Sequence, residues 1–361
     1  MTAPLGLRRS AAHVSAAPAA ERGHGAVTDE KVTAASLDDA RLVFVFGSPR
    51  SGTTWLGKIL DSHPGVRYLH EPDIALPPRL DNFVSAPFTP AQMTEAQAIV
   101  AAWWERTTVR TTGTRPVMRK QGEGRARHGL RTAGVYGAKA LHRAAHLPER
   151  WLPPLLDPMP RRVRAEGSPL TVMKTVNLLG RADLLMTALS GARCIYLVRH
   201  PGAQVASELR GIRRFGATTE LSYGAVPYAP LAAAAGVDAA ALAHMSPVEI
   251  LAWKWTVFND AAYTALQSLP RAQVLRYEDL NAAPVATARH AFAALGLPWS
   301  PAVADYIAFS QSGGAERRHY GLRREPEAAA NRWRRELDAG DIARVRAIAG
   351  RAEVGARLFG L

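Results

Sequence analysis

Residues 41–57 read RLVFVFGSPRSGTTWLG, and this stretch constrains the fold more than any other. Five strand-forming residues, Leu42 to Phe46, stop at Gly47, and a polar loop runs on to Gly52. Thr53, Thr54, Trp55 and Leu56 then begin a helical pattern. A strand that enters a helix through a glycine-bounded loop aims backbone N–H groups and the positive end of the helix dipole at one point. That point suits a phosphate or a similar oxyanion.

Three more short apolar runs have the character of strands buried on both faces of a parallel sheet: LTVMK (170–174), CIYLV (194–198) and QVLRY (273–277). Helical patterns lie between them. One follows the loop, over 53–60, and another is PGAQVASELRGI (201–212), with proline at its first position. SPVEILAWKWTVFNDAAYTAL (246–266) has Ser246 to cap it and Glu249 at the capping-box position, and PVATARHAFAALGL (284–297) ends in glycine and proline stop signals. Within the long helix, Trp253 and Trp255 read as core packing. The alternation predicts an α/β fold with a doubly wound, mainly parallel sheet in one domain over 39–361. Residues 1–38 lack useful periodicity and are expected to form a disordered tail. Residues 106–168, dense in Arg, Gly and Pro, are expected to form a basic insert or partly helical cap on one side of the sheet.

Composition narrows the function classes. With 45 Lys+Arg against 31 Asp+Glu, the net charge of +14 favours anionic partners without choosing among them. The basic stretch 106–131 lacks the interleaved aromatics of single-strand binders and shows no helix-turn-helix pattern, so nucleic acid is not the expected partner. Cys194 is the only cysteine, which excludes an intrachain disulfide and a cysteine-based zinc site, and no other metal cluster stands out. Arg8 and Arg9 have no apolar core behind them, and no stretch is long and apolar enough to span a bilayer. A cytoplasmic protein without stable membrane insertion is the expectation.

Against the phosphate-loop pattern G-x-x-x-x-G-K-[ST], the segment from Gly47 to Thr54 keeps both glycines and the final threonine. Thr53 replaces the lysine, and the cation moves inside the loop as Arg50. A nucleoside triphosphatase or kinase needs that lysine and a strand-end aspartate for magnesium, and neither is present. Here the sequence resembles the sulfotransferase superfamily, which uses 3′-phosphoadenosine 5′-phosphosulfate. GSPRSGTTWL is similar to its 5′-phosphosulfate loop, which assigns Ser48, Pro49, Arg50, Ser51, Gly52, Thr53 and Thr54 to the donor. IYLVRHPGAQVAS is similar to the second element, in which a strand-end Arg and a helical Ser converge on the 3′-phosphate; they are Arg199 and Ser207 here. LRYEDL (275–280) resembles a structural strand-end segment, and NRWRREL (331–337) resembles the late segment that closes over the adenosine. The latter assigns Trp333 and Arg334 to the donor, with an amphipathic surface helix as the competing reading. The resemblance implies a three-layer fold containing a phosphate loop, and no metal. A chain that binds the nucleotide without catalysing is the third alternative, against which Arg50, Lys174, Arg199 and Ser207 all stand intact.

DSHPGVRYLHEPD (61–73) resembles the segment of carbohydrate and tyrosylprotein sulfotransferases that carries the glutamate base, which is Glu71 here. Flanked by apolar residues and Pro72, its carboxyl is expected to be raised towards neutrality, as a base requires. His70 is the nearest rival, with His63 and His142 behind it. Lys174 looks like the lysine that steadies the bridging oxygen, and Arg50 would stabilise charge as the sulfuryl group leaves. The implied acceptor is a small-molecule or glycan hydroxyl, on a carbohydrate or glycolipid, with a phenol or tyrosine as the alternative. The sequence leaves the oligomeric state open.

Overall fold

The computed structural model describes residues 38–145, 154, 156, 170–215, 224–312 and 331–361. The tail expected over 1–38 lies outside the described residues except for Asp38, as does most of 146–169 in the expected insert.

Five strands form the sheet: β1 (Leu42–Phe46), β2 (Val66–His70), β3 (Leu170–Lys174), β4 (Arg193–Val198) and β5 (Ala272–Arg276). Their spatial order is β2-β3-β1-β4-β5, and every neighbouring pair is parallel. The fold is therefore α/β, with a central parallel sheet flanked by helices. Alternate side chains of β1 feed two cores. Phe44 and Phe46 pack on one face with Tyr196, Trp253 and Trp255. Val43 and Val45 pack on the other with Leu56, Ile59, Ile195 and Phe292. The first core is closed by α2 (Pro90–Glu105) and α5 (Pro247–Leu266), and the second by α1 (Thr53–Asp61), α6 (Pro284–Ala294) and α7 (Pro301–Gln311). Between these helices come α3 (Arg125–Ala145) and α4 (Pro201–Phe215), and α8 (Ala339–Ala349) packs on α5.

Only four strands are predicted from apolar runs; β2 is the fifth. Its sequence VRYLH is interrupted by Arg67 and His70. Arg67 is nonetheless fully buried, donating from Nη2 to the Trp104 carbonyl at 2.8 Å with its guanidinium 5.3 Å from the Trp104 ring. At the opposite edge β5 is half-exposed, and Tyr277, read as part of that strand, instead begins the helix Tyr277–Ala282. The long-helix reading holds: α5 starts after Ser246, whose hydroxyl accepts from the Glu249 N–H while the Glu249 side chain accepts from the Ser246 N–H. The basic stretch supplies α3 and the short helix Val109–Thr112. No helix among the described residues is long and apolar enough to cross a membrane.

Because β1 leads to β2 on one side while β4 and β5 lie on the other, the strand order reverses between β1 and β4. Open α/β sheets bind ligands at the carboxyl ends of the strands beside such a reversal. The loop after β1 opens there.

Candidate active site

The chain between β1 and α1 is held in a shape that few sequences permit. A Cβ on Gly47 would lie 2.6 Å from the Leu197 carbonyl oxygen of β4 and 2.5 Å from Thr53 Cγ2. Gly52 has φ +100°, and a Cβ there would meet the Tyr277 ring at 2.4 Å. Between them Arg50 adopts φ 69°, a left-handed conformation that costs energy in a residue with a side chain. The Ser51 hydroxyl donates to the Ser48 carbonyl at 2.7 Å, and Asn259 Nδ2 of α5 donates to the Ser48 hydroxyl at 3.1 Å. Ser48, Ser51 and Thr53 are buried, Pro49 and Arg50 are half-buried, and Thr54 is exposed at the start of α1. The first backbone N–H groups of α1 have no partner within the helix and face the loop, the electrostatics of an anion site.

The second motif meets the first directly. Arg50 Nε donates to the Ser207 hydroxyl at 3.1 Å across 157 residues, and Arg199 Nη1 donates to the Arg50 carbonyl at 3.1 Å. The Arg199 guanidinium lies 4.5 Å from the Tyr277 ring centroid, and Trp255 Nε1 donates to the Arg199 carbonyl at 2.9 Å. Two guanidinium groups and a hydroxyl thus share the mouth between β1 and β4. Tyr277, Asn259 and Trp255 hold them there. Sequence reading takes Trp255 as core packing and Tyr277 as strand, and passes over Asn259, because their roles here are contacts rather than local patterns.

Glu71 and Lys174 stand at the ends of β2 and β3. Lys174 Nζ donates to Glu71 Oε1 at 2.5 Å, Arg110 Nη2 donates to Glu71 Oε2 at 3.0 Å, and the Glu71 N–H donates to the Lys174 carbonyl at 2.7 Å. Glu71 has φ 48°, a second left-handed residue at a chain reversal. The expected rise of its carboxyl towards neutrality is not found. Burial does push the group up, but Lys174, His70 and Arg110 outweigh burial and hold it at about 2. The apolar flanks visible in sequence say nothing of cations arriving from 39 and 103 residues away. Lys174 is buried rather than extended to solvent.

His70 and His63 are both held below the ordinary imidazole range. Burial, with Lys174 next, brings His70 down to about 3, and its Nδ1 is 3.0 Å from the Tyr68 hydroxyl. His63 lies past the far end of α1, its Nε2 3.1 Å from the Pro298 carbonyl, and burial lowers it too. His142 is on α3. Asp73, which the sequence reading passed over, is buried close to Glu71.

Trp333 and Arg334 both lie beside His200, just past the end of β4. The Trp333 ring stacks on His200 at 4.5 Å, carries the Arg334 guanidinium at 4.6 Å, and fits against Gly202, where a Cβ would be 2.6 Å away. Its stacking is made with protein, and it fixes the start of α4. Arg334 lines a cavity of about 510 Å³ with His200, Arg276, Glu278, Arg357 and Phe359, beside the ends of β4 and β5.

A phosphate-type loop at the reversal of a parallel sheet, joined to a strand-end arginine and a helical serine, defines an α/β enzyme built to hold an oxyanion. The model of the sulfotransferase family matches residues 43–301, and the chain belongs to that family, whose members transfer sulfate. Solved structures similar to this chain include the sulfotransferase domain of the Synechococcus PCC 7002 olefin synthase. It is 18% identical, with 86% of this chain and 93% of that one covered and a TM-score of 0.43. The sulfotransferase domain from the curacin biosynthetic pathway is 17% identical, covering 84% and 95%, with a TM-score of 0.41. A sulfotransferase from Alicyclobacillus acidocaldarius is 16% identical, covering 87% and 98%, with a TM-score of 0.36. None of the curated proteins matches the chain.

Proposed function

We propose that the chain transfers a sulfuryl group from 3′-phosphoadenosine 5′-phosphosulfate to an acceptor hydroxyl by in-line displacement. The observation that carries the reading is the hydrogen-bonded junction of Arg50, Ser207 and Arg199 at the loop mouth. The loop from Ser48 to Thr54 takes the 5′-phosphosulfate through the backbone N–H groups of Gly52, Thr53 and Thr54 and the Thr54 hydroxyl, with Pro49 and Ser51 shaping the turn. Arg199 and Ser207 take the 3′-phosphate, and Arg50 shifts from Ser207 to the oxygens on which charge grows. Arg334, on the cavity with Arg276 and Arg357, extends the positive field over the nucleotide, while Trp333 acts through His200 rather than by stacking on the base.

In the transfer the acceptor oxygen forms a bond to sulfur as the bridge from sulfur to the phosphate oxygen breaks, and the bisphosphate keeps that electron pair. Lys174 steadies the bridging oxygen. Glu71 accepts the acceptor proton. While Lys174 is paired with Glu71 the carboxylate is a weak base, and turning Lys174 to the donor releases it. These residues need no metal for their roles. The likeness of residues 61–73 to the carbohydrate-sulfotransferase segment favours a carbohydrate or glycolipid acceptor over a phenol, and the basic insert fits an anionic one. The chain is read as a cytoplasmic enzyme.

Sulfur-labelled donor, supplied with a panel of oligosaccharides, glycolipids and phenols, tests this directly. Label on glycans, lost by about 10²-fold or more in Lys174→Met, is the expected result. Label on phenols alone would move the acceptor assignment to the phenolic class, and label on no acceptor would count against transfer.

A further inference from the structure

Asp73 lies two residues beyond Glu71, in the helical turn Pro72–Ala75 that follows β2. It is 4% exposed, and neither of its carboxylate oxygens has a hydrogen-bond partner among the described residues. A buried carboxylate without partners is costly, so the group favours its neutral form. Charged groups act on it from three elements: Glu71 after β2, Lys174 at the end of β3, and Arg181 in the turn Leu179–Arg181. Both cations are engaged elsewhere. Lys174 is bonded to Glu71, while Arg181 donates from Nε to the Asp81 carbonyl at 2.6 Å and from Nη2 to Asn82 Oδ1 at 3.1 Å. Burial, reinforced by repulsion from Glu71, pushes Asp73 up to about 7. Glu71, faced by Lys174, His70 and Arg110, stays near 2. Repulsion between the two carboxylates couples their titrations.

We propose that Asp73 is a positioning residue of the transfer reaction, forming with Glu71 a carboxyl pair that carries one exchangeable proton. This rests on the sulfuryl-transfer reading of the site. Asp73 does not touch the acceptor; it acts through Glu71. When Asp73 is ionised, its charge favours the protonated form of Glu71, so Glu71 draws the acceptor proton more strongly. When Asp73 is neutral, only the cations act on Glu71 and the pull weakens. Transfer therefore quickens as Asp73 loses its proton.

The test uses the full chain as wild type, Asp73→Asn, Asp73→Glu and Glu71→Gln. Release of 3′-phosphoadenosine 5′-phosphate from the donor, with water as acceptor, is followed from about pH 5 to pH 9, and binding of the bisphosphate is measured for each variant. In parallel, protein with 13C-labelled aspartate carboxyls is titrated with the bisphosphate bound, the Asp73 resonance being the one missing from Asp73→Asn. The wild-type rate is expected to rise through neutral pH. Asp73→Asn should stay flat at the wild-type low-pH level, about tenfold or more below wild type at high pH. Asp73→Glu should restore the rise, bisphosphate affinity should hold in every variant, and the Asp73 resonance should titrate near neutrality. A rise that persists in Asp73→Asn, a flat wild-type profile, or an Asp73 resonance still ionised at pH 5 would each overturn the proposal. Failure of the wild type to bind the bisphosphate would instead strike the donor reading beneath it.

Discussion

Asp73 lowers stability at high pH. Its carboxyl, 3.8 in the unfolded chain, is pushed up to about 7 in the fold, first by burial and then by Glu71. Between those values the folded state binds the extra proton, so its stability falls as pH rises from about 4 to 7. On the order of 4 kcal/mol is withheld above that window. Asp73→Asn should therefore raise the melting temperature at pH 8 and leave it nearly unchanged at pH 4; thermal melts at both values check this, and an equal effect at the two would contradict it. The neighbouring pair behaves in the opposite way. Lys174 is 1% exposed, so Glu71→Gln leaves a buried ammonium without its carboxylate, and a loss of about 3–5 kcal/mol is expected. Adding Lys174→Met to that variant should recover part of the loss, as a double-mutant cycle in urea would report.

The loop and the sheet set the arrangement of these residues. Gly52→Ala would force a Cβ to 2.4 Å from the Tyr277 ring at φ +100°, and Tyr277 supports Arg199. A loss of about 1–3 kcal/mol, with weaker binding of the bisphosphate, is expected from denaturant midpoints and titration of the same variant. The elements that hold this loop were legible for a physical reason. β1, β3 and β4 are covered on both faces, so they are mainly apolar, with Lys174 and Arg193 only at the strand ends. β2 was not legible because its buried Arg67 is held by a carbonyl and a ring 37 residues further on, leaving a charge inside the strand pattern. Arg50, Arg199 and Ser207 could be picked out because each sits at a fixed offset from a strand end. Arg110 and Arg181 could not, since they arrive from short helical segments far from any strand motif and acquire meaning only through Glu71 and Asp73.

Across the whole molecule, one buried cluster ties the basic segment to the domain. Lys58 Nζ and Lys120 Nζ each lie 2.5 Å from an Asp61 carboxylate oxygen, and Lys58 also donates to the Pro116 carbonyl at 2.7 Å. Burial pushes Asp61 up, but Lys120 and Lys58 outweigh it and hold the carboxyl below its usual range. The stability this contributes is present above the unfolded value of 3.8 and disappears as pH falls through the lower folded value. Asp61→Asn leaves two buried lysines facing each other and should cost about 3–5 kcal/mol, read from denaturant unfolding at neutral pH. The same segment carries Arg110 to Glu71, so this anchor and the acceptor side of the site are parts of one structure. On the donor side, we propose that Arg50 and Arg199 make a site for the phosphates of 3′-phosphoadenosine 5′-phosphosulfate. Calorimetric titration with 3′-phosphoadenosine 5′-phosphate, using wild type, Arg50→Ala and Arg199→Ala with ATP as the control ligand, is the experiment that decides it. Micromolar or tighter binding by wild type, about 10-fold or more weaker in each variant and absent for ATP, is the predicted result. No binding of the bisphosphate, or a preference for ATP with magnesium, would contradict it.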